Sequence, residues 1–145
     1  MAPTNGQEGN GLKVEVLRES LRAISHKGDE LVATFYDILF TKYPQVRPMF
    51  DSTRMPEQRA KLLRSLVVIV RNLDKPGYLA PYLQGLGKMH VAYGAQAAHY
   101  DAVGECLLQA MAKTAGPMWN DELAQAWADA YAAAAGLMKQ GAGPN

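Results

Sequence analysis

An all-α fold follows from three observations on this chain. Apolar residues recur at spacings of three and four along most of its length, and no stretch sustains period-two alternation. Glycine and proline pairs fall between the periodic segments. Six long helices and one short, proline-marked turn account for the pattern.

The first helix spans about Lys13 to Ser25, where Val14, Leu17, Leu21 and Ile24 recur at spacings of three, four and three and share one face. Gly28–Asp29 breaks it. The second runs from about Asp29 to Tyr43, with Asp29 as a candidate N-cap. Its stripe is Val32, Phe35, Tyr36, Leu39, Phe40 and Tyr43. Pro44 and Pro48 then impose a tight segment ending at Phe50. A third helix begins near Met55 or Pro56, where proline suits the first turn, and carries Leu62, Leu63, Leu66, Ile69, Val70 and Leu73. Residues Asn72 to Gly77 end it.

The fourth helix occupies about Tyr78 to His90, with Leu79, Leu83 and Leu86 apolar and Gly94 closing it. The fifth, about Ala98 to Lys113, carries Val103, Leu107, Leu108 and Met111. Gly116–Pro117 separates it from the last helix, about Asp121 to Gln140, with Leu123, Trp127, Tyr131, Ala134 and Met138.

The chain has 145 residues, 48% hydrophobic and 20% charged, which suits one soluble globular domain. A formal charge of +1 argues against nucleic acid or an anionic membrane as partner. The only cysteine, Cys106, allows no internal disulfide and fits a reducing compartment. The opening stretch lacks the apolar run of a secretory signal, and the run from Ala130 to Ala135 is far short of the roughly 20 residues a membrane span needs. A cytoplasmic protein is expected. Residues 1–12 and 141–145 read as flexible tails around a domain over 13–140.

Three polar side chains lie on or beside apolar stripes, where an unpartnered polar group is costly to desolvate. His90 follows Leu79, Leu83 and Leu86 at spacings of four, three and four, so it continues their face. Gln58 precedes Leu62 by one turn, and Tyr36 precedes Phe40 by one turn. By spacing alone His90 reads as a satisfied core or capping residue more readily than as a ligand. Gln58 reads equally as a capping partner, and a buried tyrosine commonly bonds a backbone carbonyl. No Gly-rich phosphate loop and no G-x-S-x-G element is present. Three histidines (His26, His90, His99) and one cysteine make a closed zinc site a poor reading. Cys106 sits in an apolar helix, which suits an inert thiol. His26 lies at a helix end, and His99 is expected near the surface.

Several blocks, in order, resemble the globin domain of bacterial flavohaemoglobins and single-domain bacterial haemoglobins. They are Phe35-Tyr36-Asp37-Ile38-Leu39-Phe40, Lys42-Tyr43-Pro44-Gln45-Val46-Arg47-Pro48-Met49-Phe50-Asp51, Leu86-Gly87-Lys88-Met89-His90-Val91-Ala92-Tyr93-Gly94, His99-Tyr100-Asp101-Ala102-Val103-Gly104-Glu105 and Ala126-Trp127-Ala128-Asp129-Ala130-Tyr131. The likeness covers about residues 13–140 and implies a globin fold.

The resemblance implies haem b (iron protoporphyrin IX) as cofactor, with His90 as the iron's protein ligand. It implies Phe50 flat against the porphyrin, Tyr36 and Gln58 as polar residues on the opposite, gas-binding side, and Leu62 leaning over the iron. Phe40, Leu86 and Val103 are expected to line the apolar slot, and Tyr100 matches a tyrosine that supports the histidine. A glutamate that accompanies that tyrosine in the family has no counterpart here, because the chain reads Lys139-Gln140-Gly141-Ala142. Strong electron donation to the iron is therefore not expected.

The implied function is reversible binding of O2, CO and NO, with oxygen storage or transport as one role. Oxidation of nitric oxide to nitrate, with electrons from a separate reductase, is the other. A gas sensor or a globin-like interaction module is the alternative. A monomer or weak dimer is expected.

Overall fold

The predicted apolar stripes become the buried faces of helices. The computed structural model describes residues 13–143. The long helices are α1 (Val14–Ile24), α2 (Gly28–Lys42), α3 (Met55–Arg71), α4 (Pro76–Ala92), α5 (Ala97–Ala115) and α6 (Asp121–Ala142). Short 3-10 turns cover Ser25–Lys27, Pro44–Phe50 and Gly116–Met118, and no strand occurs among the described residues. The expected tail over residues 1–12 lies outside the described residues, as do residues 144 and 145.

Packing follows from the stripes. Val14, Leu17, Leu21 and Ile24 are all buried on α1, and Leu79 and Leu83 on α4. The most extensive contacts join α4 to α6 and α2 to α5, while α1 rests on α3 and α6. Helices α3 and α4 are not among the closely packed pairs. Each is held by other partners.

Buried polar groups on the α1–α6 contact are satisfied. The Trp127 indole N–H donates to Ser20 Oγ across 2.9 Å, and that hydroxyl donates to the Leu17 carbonyl across 3.1 Å. Arg18 closes the C-terminal end of α3, donating to the Val70 and Arg71 carbonyls at 3.4 and 3.2 Å and pairing with Asp74 at 3.0 Å.

Three local expectations are corrected. Gly28 does not break the chain but opens α2 in ordinary right-handed helical geometry, buried where a Cβ would stand 2.8 Å from a Leu63 methyl carbon. Its smallness admits α3 at close range. Asp29 is not the N-cap. It lies inside the first turn beside Glu30, where a carboxylate favours the positive end of the helix dipole. The last helix continues past Gln140 through Gly141 and Ala142, so those two residues are not tail.

Candidate functional site

One helix and the proline-marked turn assemble an aromatic cluster. Tyr36 and Phe40 lie one turn apart on α2, and the Pro44–Phe50 turn folds Phe50 against both. The Phe50 ring centroid is 5.8 Å from Tyr36 and 5.4 Å from Phe40, edge-on in each case. A clamp holds the start of this turn on α5. The Tyr43 hydroxyl donates to Glu105 across 2.5 Å, and Lys42 pairs with the same carboxylate.

Gln58 joins the cluster from the first turn of α3. Its amide Nε2 donates to Tyr36 Oη across 3.0 Å. A phenol has one O–H to donate and accepts through its lone pairs. The Tyr36 proton is therefore not used by Gln58 and remains available to a third group. Burial pushes the Tyr36 pKa up from 10.0, with the Gln58 bond and Arg59 opposing more weakly, so the hydroxyl stays protonated at neutral pH. Leu62 follows one turn along α3, half-buried against the core.

Beside Phe40 and Phe50 opens a cavity of about 200 Å³, also lined by Arg47, Asp51, Thr53 and Met55. The Arg47 guanidinium stacks over the Phe40 ring with its carbon 4.9 Å from the centroid. Tyr36, Gln58 and His90 are not part of this lining.

His90 occupies the last turn of α4, half-buried. Its Nδ1 lies 2.7 Å from the Leu86 carbonyl. A carbonyl only accepts, so Nδ1 carries a proton, and in the singly protonated ring Nε2 is the nitrogen with a free lone pair. That is the state of a metal-ligating histidine. Tyr93 packs edge-on at 5.9 Å, and Gly94, at φ +90°, turns the chain away. No hydrogen bond or ring contact among the described residues ties His90 to the Tyr36 cluster.

The other expected residues line α4 and α5. Leu86 and Val103 are half-buried and packed on the core. Tyr100 is 8% exposed, and its buried hydroxyl has no hydrogen-bond partner. In the segment Lys139-Gln140-Gly141-Ala142, where the resemblance calls for a glutamate, Lys139 places its ammonium 5.5 Å from the Tyr100 ring centroid. The Tyr131 hydroxyl donates to the Tyr100 carbonyl across 2.6 Å and so ties the start of α5 to α6. Tyr131 reads in the sequence as part of a stripe and of a family-like block, and neither signals its bond. Its tether, the Tyr43–Glu105 clamp and the close helix contacts of Gly87, Gly104 and Gly141 had no sequence signal beyond residue type.

The remaining titratable groups offer no competing centre. Among the described residues no three His, Cys, Asp or Glu side chains gather to hold a metal. His99 Nδ1 accepts from the Gln96 backbone N–H at 2.9 Å and serves as a helix cap. His26 is exposed in the turn after α1. Cys106 is fully buried, and burial pushes its thiol pKa up.

These residues fit a haem. One imidazole presents a free Nε2, aromatic and aliphatic side chains on α2 to α5 pack on the same core, and the helices bearing Gln58 and His90 are packed on other partners rather than closely on each other.

Comparison with known proteins agrees with this class. The family model named Globin matches residues 33–138. The flavohaemoprotein of Bacillus cereus is 30% identical over 120 residues, covering 81% of this chain and 29% of that protein. The chain thus spans less than a third of the length of such relatives. An uncharacterised globin-like protein of Aquifex aeolicus is 29% identical over 118 residues, with 81% and 83% covered. An engineered carbene transferase, derived from a candidate nitric oxide dioxygenase of Rhodothermus marinus, superposes with a TM-score of 0.80 at 31% identity, covering 89% of each chain. A bacterial globin of Campylobacter jejuni, 24% identical, shares the fold with a TM-score of 0.78, covering 89% of this chain and 93% of its own. The chain belongs to the globin family, which implies haem binding and small gas ligands. No helix among the described residues is long and apolar enough to cross a membrane.

Proposed function

We propose that this globin holds haem b through His90 Nε2, binds O2 reversibly beside Tyr36 and Gln58, and uses it to oxidise nitric oxide to nitrate. Haem, when bound, supplies an iron that takes up diatomic gases and exchanges electrons. The observation that carries the reading is the 3.0 Å bond from Gln58 to Tyr36 Oη, which leaves the tyrosine proton free.

Each side chain has a separable task. The Leu86 carbonyl holds the His90 ring and the Nδ1 proton, so Nε2 is the nitrogen left to face the iron. Phe50, Phe40, Leu62, Leu86 and Val103 supply an apolar lining that excludes water. Tyr36 donates a hydrogen bond to a gas that gains negative charge on binding, which favours O2 over CO. Gln58 orients that donor. The segment Lys139-Gln140-Gly141-Ala142 offers no glutamate to reinforce electron donation through His90, so peroxidase activity is modest.

The reaction balances as one NO, one O2 and one electron giving one nitrate. The electron comes from a donor outside residues 13–143. The Rhodothermus relative's parent, a candidate nitric oxide dioxygenase, supports this chemistry, and the flavohaemoproteins, of which this chain matches 29%, support a flavin-bearing donor. Stopped-flow mixing of the oxygenated protein with NO tests the reading. One rapid turnover to nitrate, renewed only when a reductase is added, is the expected result. A slow or absent first turnover points instead to an oxygen carrier or gas sensor.

A further inference from the structure

Helices α4 and α6 meet at a contact closer than side chains permit. A Cβ on Gly87 would stand 1.8 Å from the Met138 carbonyl oxygen, 2.6 Å from its carbon and 2.8 Å from its Cα. Reciprocally, a Cβ on Gly141 would stand 1.9 Å from the Gln84 carbonyl oxygen, 2.5 Å from its carbon and 2.6 Å from its Cα. Gln84 lies three residues before Gly87, and Met138 three before Gly141, so the two contacts are mirror halves of one crossing. All six contacted atoms are backbone. No rotamer change relieves them. The Gln84 amide also donates to the Gln140 side-chain oxygen across 3.1 Å at the same place.

This crossing bears on His90 through one peptide unit. The carbonyl that holds His90 Nδ1 belongs to Leu86, and the next residue in the chain is Gly87. The peptide that fixes the imidazole is thus the one pressed against α6. Glycines elsewhere on the two helices are under no such constraint. Gly85 on α4 and Gly136 on α6 would each meet nothing within 4 Å if given a Cβ.

We propose that Gly87, Gly141 and the Gln84–Gln140 bond form a backbone clamp that positions His90. They are positioning residues, acting through the Leu86 carbonyl to set the ring's orientation and its distance from α6. The clamp works by fit rather than charge, in a chain that has Lys139-Gln140 where a carboxylate support is absent. A methyl group at either glycine must push α4 away by about 1.5 Å to reach an ordinary carbon–oxygen separation. The His90 ring then loses its acceptor or turns with it.

The inference rests on the reading of His90 as the haem ligand, and two readouts separate the two. Imidazole nitrogen NMR on the full chain without haem reports the Nδ1–H···O bond directly. In the haem-loaded ferrous protein, the iron–histidine stretching band in resonance Raman reports ring orientation. Gly87→Ala and Gly141→Ala should shift the His90 nitrogen signals, leave those of His26 and His99 in place, and move or broaden the stretching band. Haem should dissociate on the order of tenfold faster, the scale set by groups that orient metal ligands. Gly85→Ala and Gly136→Ala should change none of these.

Gln84→Ala removes the side-chain bond without adding volume, and should move the same signals in the same direction by less. It keeps the test decisive if the bulkier variants do not fold. A His90 signal and stretching band unmoved in Gly141→Ala, or in Gln84→Ala where the glycine variants do not fold, would overturn the clamp. Haem that binds without any iron–histidine band from His90 overturns the ligand assignment, while the NMR shifts still decide the clamp.

Discussion

The Gln58 amide donates to the Tyr36 hydroxyl across 3.0 Å, linking α3 to α2 over 22 positions of sequence. The direction of this bond matters more than its length. Because the phenol accepts, its own proton is left to donate. Burial holds the phenol neutral, so the donor persists through the physiological pH range. A pair arranged the other way, with the phenol donating to the amide oxygen, would present no tyrosine proton to a gas.

His90→Ala should sharply weaken haem retention, read as loss of the Soret band on gel filtration. His26→Ala and His99→Ala should retain it, since His26 is exposed and His99 Nδ1 is already accepting from Gln96. Native-like spectra in His90→Ala would show that another group ligates the iron.

The clamp at the start of the Pro44–Phe50 turn carries a pH dependence. Lys42 and then Tyr43 hold the Glu105 carboxyl below its ordinary value of 4.5. A group with a lowered folded pKa adds stability above its unfolded pKa, and that stability is lost as pH falls through the folded value. Thermal melts should therefore show Glu105→Gln less stable than the parent at neutral pH, with the gap closing below about pH 4.5. An unchanged gap down to the acid end would show that the clamp acts through packing alone.

Close approach also constrains α5. A Cβ on Gly104 would stand 2.6 Å from the Tyr131 ring, which the bond to the Tyr100 carbonyl keeps from moving aside. Gly104→Ala should destabilise by about 1–3 kcal/mol through overpacking. Gly136→Ala, in open space on α6, should stabilise by about 0.5–1 kcal/mol. Chemical denaturation of both variants checks the pair, and equal effects of either sign would contradict the packing.

How far the sequence could be read depended on the range of the forces involved. Periodicity reports one face of one helix, and so Leu79, Leu83, Leu86 and His90 were visible as a single line ending in a polar group. Proline and glycine report backbone torsions, which placed the Pro44–Phe50 turn and the reversal at Gly116. Gly28, Gly87 and Gly141 serve another purpose, close packing between helices distant in sequence, and a composition rule reads Gly28 as a breaker and Gly141 as tail and passes over Gly87. The Asn120 cap of α6, which accepts from the Leu123 N–H at 2.8 Å, was likewise unread, because its stripe alone defined that helix. Tyr36 and Gln58 stand out as separate polar residues on or beside apolar stripes, and the family likeness assigns both to the gas-binding side. That one donates to the other is a tertiary fact.

The most direct measurement is the dissociation rate of O2 and of CO from the ferrous protein, in the parent, Tyr36→Phe, Gln58→Leu and the double variant. A hydrogen bond to a charged acceptor contributes about 1.5–3 kcal/mol, so each single change should speed O2 loss by about tenfold or more. CO loss should change much less. The two effects should not add, because Gln58 orients the same donor whose removal Tyr36→Phe already measures. Equal acceleration of O2 and CO would mean that the substitutions act by opening space, and the hydrogen-bonding account of this site would be wrong.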